Sequence, residues 1–107
     1  MAKNMWFARV ILSDEARGEL RALGLSNQDI AEIEMETGNG SETIMEAVGM
    51  ATEFTDDSGI ALTCYGTTRY ADDTVSGELT LNTENGWFYG GTVYAAPRNV
   101  HTLPQAL

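Results

Sequence analysis

Basic residues are missing from one long part of this chain, because residues 22–68 contain no lysine or arginine. A surface with charge of one sign projects a negative field, which repels nucleic acid and anionic membranes and attracts basic protein surfaces. The stretch supplies most of the net charge of −10 and argues against direct nucleic-acid binding. Its nine carboxylates belong to Asp29, Glu32, Glu34, Glu36, Glu42, Glu46, Glu53, Asp56 and Asp57.

Cysteine and histidine are also scarce, with Cys64 and His101 as the single residue of each type. One cysteine rules out an internal disulfide framework and fits a reducing compartment, so we expect a cytoplasmic protein. Neither residue has a sequence-local partner that would make a nucleophile and base. One Cys and one His cannot build a zinc site without carboxylates. We therefore predict no catalytic residue, no metal site and no cofactor.

Long apolar runs are absent as well. No run approaches the roughly 18 residues that a membrane span needs, and residues 1–4 lead directly into a strand-like segment instead of a signal peptide. With 43% hydrophobic residues in a length of 107, the chain can nevertheless bury a core without disulfides or metal. We expect a single acidic α+β domain over residues 1–107 that does not bind membranes.

The first half of the chain has one strand signal and three helix signals. Residues 5–12 are rich in aromatic and β-branched side chains, which predicts a strand. Ser and Gly residues then flank three stretches in which apolar residues have helical spacing. Ser26 and Asp29, three residues apart, resemble a capping box. The first helix is expected between Ser13 and Gly24, and the second between Ser26 and the Gly38-Asn39-Gly40 turn. The third is expected to start at Ser41 and to carry an apolar stripe that reaches Phe54.

The second half has the alternation typical of strands. A strand is predicted from near Gly59, and two more flank Asn85-Gly86, a strong signal for a type I′ hairpin. This loop would place Glu84 opposite Trp87 and Asn82 opposite Tyr89 on the polar side of the hairpin. Val93 would lie on the same side. The predicted fold is α+β in the order β-α-α-α-β-β-β, with an antiparallel sheet of about four strands and helices packed on one face.

Six of the carboxylates are predicted to lie on the wet faces of the second and third helices. Carboxylates spaced along helix faces can imitate a row of phosphates and occupy a groove lined by Lys and Arg. The alternative is a solvated face that only keeps the protein soluble. A solvated face is the commoner explanation of such a stretch, but the complete lack of bases strengthens the functional interpretation, because plain surfaces usually mix both signs of charge. The candidate partner-binding carboxylates are Asp29, Glu32, Glu36, Glu42, Glu46 and Glu53.

The hairpin aromatics form a second set of candidate partner-binding residues. Trp87 and Tyr89, with Tyr65 beside them, are either the aromatic centre of a protein interface or half-buried sheet residues. Two acidic pairs, Asp56-Asp57 and Asp72-Asp73, have oxygens that suit a hard cation, but the spacing of an EF-hand loop is absent and a turn is favoured.

The sequence predicts a non-enzymatic module that docks on the basic, nucleic-acid-binding surface of a partner protein and so inhibits or regulates it. In size and charge it is similar to small acidic phage-encoded anti-CRISPR and anti-restriction proteins, although no family motif is present. The main alternative is an assembly subunit or homo-oligomer, such as a homodimer, that uses the sheet face around Trp87 and Tyr89. A small-ligand binder or enzyme would require a pocket between sheet and helices.

Overall fold

Six antiparallel strands and three short helices make up residues 6–55 and 59–97, the part of the chain that the computed structural model describes. The sheet is an open half-barrel with the strand order β2-β1-β6-β5-β4-β3. In chain order the elements are β1 (Trp6–Leu12), α1 (Asp14–Ala22), α2 (Asn27–Ile33), β2 (Thr37–Ser41), α3 (Ile44–Thr52), β3 (Phe54–Thr55), β4 (Ala61–Arg69), β5 (Val75–Thr83) and β6 (Gly86–Pro97).

The predicted fold was wrong in strand number and in the order of elements. The sheet has six strands rather than about four, and the order is β-α-α-β-α-β-β-β-β. The two missed strands lie at the sheet edges. β2 contains the Gly38-Asn39-Gly40 segment that was expected to end a helix, and β3 is only two residues long. β2 has little strand propensity of its own, so its conformation comes from pairing with β1 through Trp6 and Ala8.

Two of the three predicted helix starts are confirmed. The Ser13 hydroxyl accepts a hydrogen bond from the Ala16 backbone N–H, and Ser26 forms the capping box of α2 with Asp29. Each cap satisfies an N–H group that the first helical turn leaves without a partner. The third predicted cap, Ser41, is wrong because Ser41 belongs to β2, and Thr43 caps α3 instead.

The three helices cover one face of the sheet and close the main core there. Residues that alternate along the strands meet the buried faces of the helices in one continuous cluster. The other face, which we call the outer sheet face, carries the remaining alternate residues of β1, β4, β5 and β6. Prominent core residues are Val10, Leu12, Leu20, Ile30, Val48, Leu79, Leu81 and Val93.

The hairpin of β5 and β6 is present, but its predicted register was wrong. Trp87 pairs with Asn82, and Tyr89 pairs with Thr80, a shift of two residues from the expected register. The only positive φ in this turn belongs to Gly86, at +117°. A type I′ turn requires positive φ at both central residues, so this hairpin has a different turn.

Val93 was predicted on the polar side of the hairpin, but a bulge in β6 places it in the core. The register shifts at Gly91, which has φ of +116°, and the alternation beyond it places Val93 in the core. A side chain at Gly91 would collide with the carbonyl oxygen of Ile11 and the backbone of Ser13. The bulge therefore requires glycine for two reasons, backbone conformation and space.

Candidate functional site

The sheet separates the candidate partner-binding residues into two groups. All six carboxylates are exposed, but their predicted placement on helix faces was wrong for half of them. Asp29 and Glu32 lie in α2 and Glu46 lies in α3, whereas Glu36 and Glu42 flank β2 and Glu53 is the C-cap residue of α3. Trp87 and Tyr89 lie on the outer sheet face, where they are 73% and 44% exposed. The two groups therefore cannot form one continuous patch, and each must be considered as a separate surface.

Glu34 differs from the other described carboxylates of the base-free stretch because it points inward. Its Oε2 atom accepts hydrogen bonds from Arg17 Nη2 at 2.7 Å and from the Leu12 backbone N–H at 2.8 Å. The Glu34 side chain is only 19% exposed. These contacts join the end of α2 to α1 and β1, which gives Glu34 a structural role.

The solvent side of α3 combines acidic and flexible apolar residues. Glu46 lies in the first turn of α3, and Glu53 is the C-cap residue that follows its last turn; both are exposed. Met45 and Met50 are each more than half exposed. Methionine is unbranched and polarizable and adapts to irregular surfaces, so this side can contact both the charged heads and the alkyl stems of basic side chains.

A groove of about 510 Å³ opens beside α2 on the helical side. Its floor is apolar and half-buried, and it continues into the main core. Its acidic residues are Asp29 and Glu32, and no lysine, arginine or histidine is among the described residues that line it. The floor consists of Leu23, Leu25, Ile33 and Phe54, and we call this feature the α2 groove.

Local backbone structure fixes the walls of the α2 groove. α1 ends in a Schellman motif, in which the Leu25 N–H donates to the Leu20 carbonyl and Gly24 adopts φ of +101°. The capping box then starts α2 within two residues. Phe54 is held from the other side by its pairing with Leu62. The groove is therefore built from three separate segments of the chain that are each anchored by hydrogen bonds.

The outer sheet face is rich in phenol groups. The Tyr89 hydroxyl donates to Glu78 Oε2 at 2.8 Å, and this hydrogen bond, with a smaller contribution from burial, raises the pKa of Tyr89 to about 12. Tyr65 and Tyr94 lie near enough to add to the same shift. Tyr89 therefore keeps its proton, and this hydrogen bond, at alkaline pH values where an ordinary tyrosine ionises.

The other candidate residues are placed as follows. Asp72 accepts hydrogen bonds from the hydroxyl and the backbone N–H of Thr74, which hold the pKa of Asp72 below its usual value and stabilise a turn. Cys64 is half-buried against the main core. The pair Asp56-Asp57 and His101 lie outside the described residues. Within residues 6–55 and 59–97, no group of three His, Cys, Asp or Glu side chains is arranged to hold a metal ion.

Comparison of the chain with protein-family models, curated proteins and solved structures gave no match. None of the helices in the described parts of the chain has the length and apolar character needed to cross a membrane.

The α2 groove was not predicted as a site. Sequence periodicity assigned Leu23, Ile33 and Phe54 to inward-facing helix positions, which does not distinguish a core residue from a groove floor. The available signal is the Leu23-Gly24-Leu25 sequence, where apolar residues flank the glycine that separates two short helices. Apolar side chains at such a junction have less protein available to cover them.

Proposed function

We propose that the protein is a non-enzymatic binding module that docks its acidic helical side on a basic, nucleic-acid-binding surface of a partner protein and inhibits or regulates it. The observation that carries the proposal is the exposure of all six candidate carboxylates within a stretch that has no lysine or arginine. Ordinary surfaces mix both signs of charge, and a surface of one sign steers association with an oppositely charged partner.

Arg17 and Arg21, the two arginines of α1, make their hydrogen bonds to groups other than the six candidate carboxylates. Arg17 is paired with the inward-pointing Glu34, and Arg21 Nε donates to Asn27 Oδ1 at 3.0 Å. Glu32, Glu46 and Glu53 are exposed. They therefore remain accessible to cationic groups of a partner, and the exposed methionines of α3 offer apolar contact between them.

The proposal is tested with partners recovered from host extract by the tagged protein. Binding should weaken steeply with salt, because attraction between exposed charges is screened beyond about 8 Å at physiological ionic strength. Added duplex DNA or RNA should compete with the protein for the partner. Glu32→Lys should weaken binding, whereas Glu84→Lys, with the same charge change on the exposed hairpin turn, should not. Salt-independent binding that neither nucleic acid nor Glu32→Lys affects would refute the proposal.

A second candidate function is assembly through the outer sheet face, and the exposure of Trp87 favours it. Trp87 is 73% exposed, and Tyr65 is also more than half exposed. Exposed aromatic side chains are frequent anchors of protein interfaces. Size-exclusion chromatography with light scattering would show a dimer that Trp87→Ser converts to monomer. A monomer at every concentration would exclude self-assembly through this face.

A further inference from the structure

We infer that the α2 groove is an anchor site for one apolar side chain of a partner segment whose neighbouring residues are lysine or arginine. The inference rests on the proposed function, since it concerns the same class of basic partner. It goes further by naming where on the acidic side the partner is held and which type of side chain holds it.

The apolar part of the inference comes from the floor of the groove. Leu23, Leu25, Ile33 and Phe54 are half-buried and pack against the main core, so an inserted side chain would extend that core. The volume of about 510 Å³ lies within the roughly 300–1,000 Å³ typical of binding pockets. An anchor residue in such a pocket commonly supplies most of the affinity of an interface.

The basic part of the inference comes from the acidic residues of the groove. Asp29 and Glu32 are three positions apart on α2, so both carboxylates lie on one side of the helix, next to Ile33. Groups that carry phosphate or carboxylate would be repelled there, which disfavours acidic peptides and anionic lipids. Lys or Arg residues on either side of an apolar anchor match both the floor and the acidic residues.

The extent of the acidic surface favours a peptide segment over a small amphiphilic amine. A single amine would meet only the carboxylates at the groove. A segment with several basic residues can also reach the exposed Glu53, which precedes the groove residue Phe54, and the exposed Glu46 of α3. The hydrogen-bonded framework of α1 and α2 keeps the groove open before the partner arrives, which lowers the entropic cost of binding.

The test uses labelled peptides and measures binding by fluorescence anisotropy at low salt. The peptides are Arg-Arg-Leu-Arg-Arg and Arg-Arg-Gly-Arg-Arg, and the amine probe is isoamylamine, which presents the leucine side chain on one cation. We expect the leucine peptide to bind at least about tenfold more tightly than the glycine peptide, because full burial of leucine corresponds to this factor or more. Isoamylamine should bind much more weakly than either peptide.

Matched variants on α2 locate the effect. Ile33→Lys places a cation in the floor and should remove the advantage of the leucine peptide, whereas Gln28→Lys makes the same charge on an exposed part of α2 and should retain it. Combining Asp29→Asn with Glu32→Gln should weaken both peptides, and the Asn side chain can still accept the capping hydrogen bond from Ser26. Chemical-shift changes in the unaltered protein should centre on Leu23, Leu25 and Ile33, which makes the test independent of variant stability.

Each contrary result has a distinct meaning. Equal, salt-sensitive binding of both peptides would overturn the groove as an anchor site while leaving the acidic docking surface in place. Isoamylamine binding as tightly as the leucine peptide would overturn the inference in favour of a small-ligand site. Shift changes centred on Trp87 and Tyr89 would overturn it in favour of the outer sheet face. Binding of neither peptide would overturn the inference and count against the acidic docking surface too.

Discussion

Removal of the Glu34 carboxylate should destabilise the protein far more than removal of the exposed Glu32 carboxylate of α2. Glu34 Oε2 is the acceptor for both Arg17 Nη2 and the Leu12 backbone N–H, at 2.7 and 2.8 Å. Glu34→Ala leaves both donors without this acceptor. Arg17 would then have two nitrogen atoms without an acceptor, because its Nε atom is already buried without a hydrogen-bond partner.

The expected magnitude follows from the partial burial of the pair. The side chains of Arg17 and Glu34 are 34% and 19% exposed, so the interaction falls between a surface ion pair and a fully buried one. Hydrogen bonds to charged groups contribute about 1.5–3 kcal/mol, and partial exposure reduces this. We expect Glu34→Ala to lower the free energy of unfolding by about 2 kcal/mol. Arg17→Met should cost no more than about 1 kcal/mol, because Glu34 keeps the Leu12 hydrogen bond and some access to water.

Urea unfolding monitored by circular dichroism measures these differences. Glu34→Gln should be intermediate, since the amide oxygen can still accept from Leu12 while the charge is lost. Glu32→Ala is the matched control on the same helix, and it should change stability by less than about 0.5 kcal/mol because Glu32 is exposed. If Glu34→Ala is as stable as Glu32→Ala, the assignment of a structural role to Glu34 is wrong.

Three further predictions concern the sheet. Trp87→Ala should lower the free energy of unfolding by no more than about 1 kcal/mol in thermal melts, because Trp87 is 73% exposed. A loss near the roughly 3–5 kcal/mol of a core aromatic would contradict its placement on the outer sheet face. Gly91→Ala should cost at least about 2 kcal/mol in urea unfolding, from the positive φ and the collision with Ile11, and a stable variant would exclude the bulge. Ultraviolet titration should find the pKa of Tyr89 near 12, and Glu78→Gln should lower it. Since the folded state retains this proton while the unfolded state loses it near pH 10, the stabilising contribution should be complete below pH 10 and lost as the pH rises towards 12. An ordinary Tyr89 pKa would refute the Glu78 hydrogen bond.

Local signals predicted the helices better than the sheet. The caps at Ser13 and Ser26 depend on contacts within three residues, so the sequence alone was sufficient to find them. β2 could not be found in this way, because a Gly-Asn-Gly segment becomes a strand only through its pairing with β1. The side of Val93 was also beyond local reasoning, since it depends on a bulge at Gly91 that brings β6 close to Ile11.

The candidate site also has features that local sequence signals predict and features that depend on tertiary packing. Exposure of Asp29, Glu32 and Glu46 follows from helical spacing, which the sequence displays directly. Glu36 and Glu42 were assigned to helices by the same spacing, but they flank β2, a strand that forms only by pairing with β1. The separation of the helical carboxylates from Trp87 could not be predicted, because it depends on which face of the sheet the helices cover. The α2 groove joins Leu23, Ile33 and Phe54, and side chains from three segments meet only when the whole helical layer has packed.

The central position of β6 has a consequence for how the chain folds during its synthesis. β6 is the last described strand to be made, yet it lies between β1 and β5, and its first contact with β1 pairs Gly91 with Leu12. Before β6 leaves the ribosome, β1 with β2 and β3 with β4 and β5 are separate pieces with open hydrogen-bonding edges. Completion of the sheet must therefore wait until nearly all of the described chain has been translated. The base-free acidic stretch is made earlier, and its like charges repel neighbouring nascent chains during this vulnerable interval.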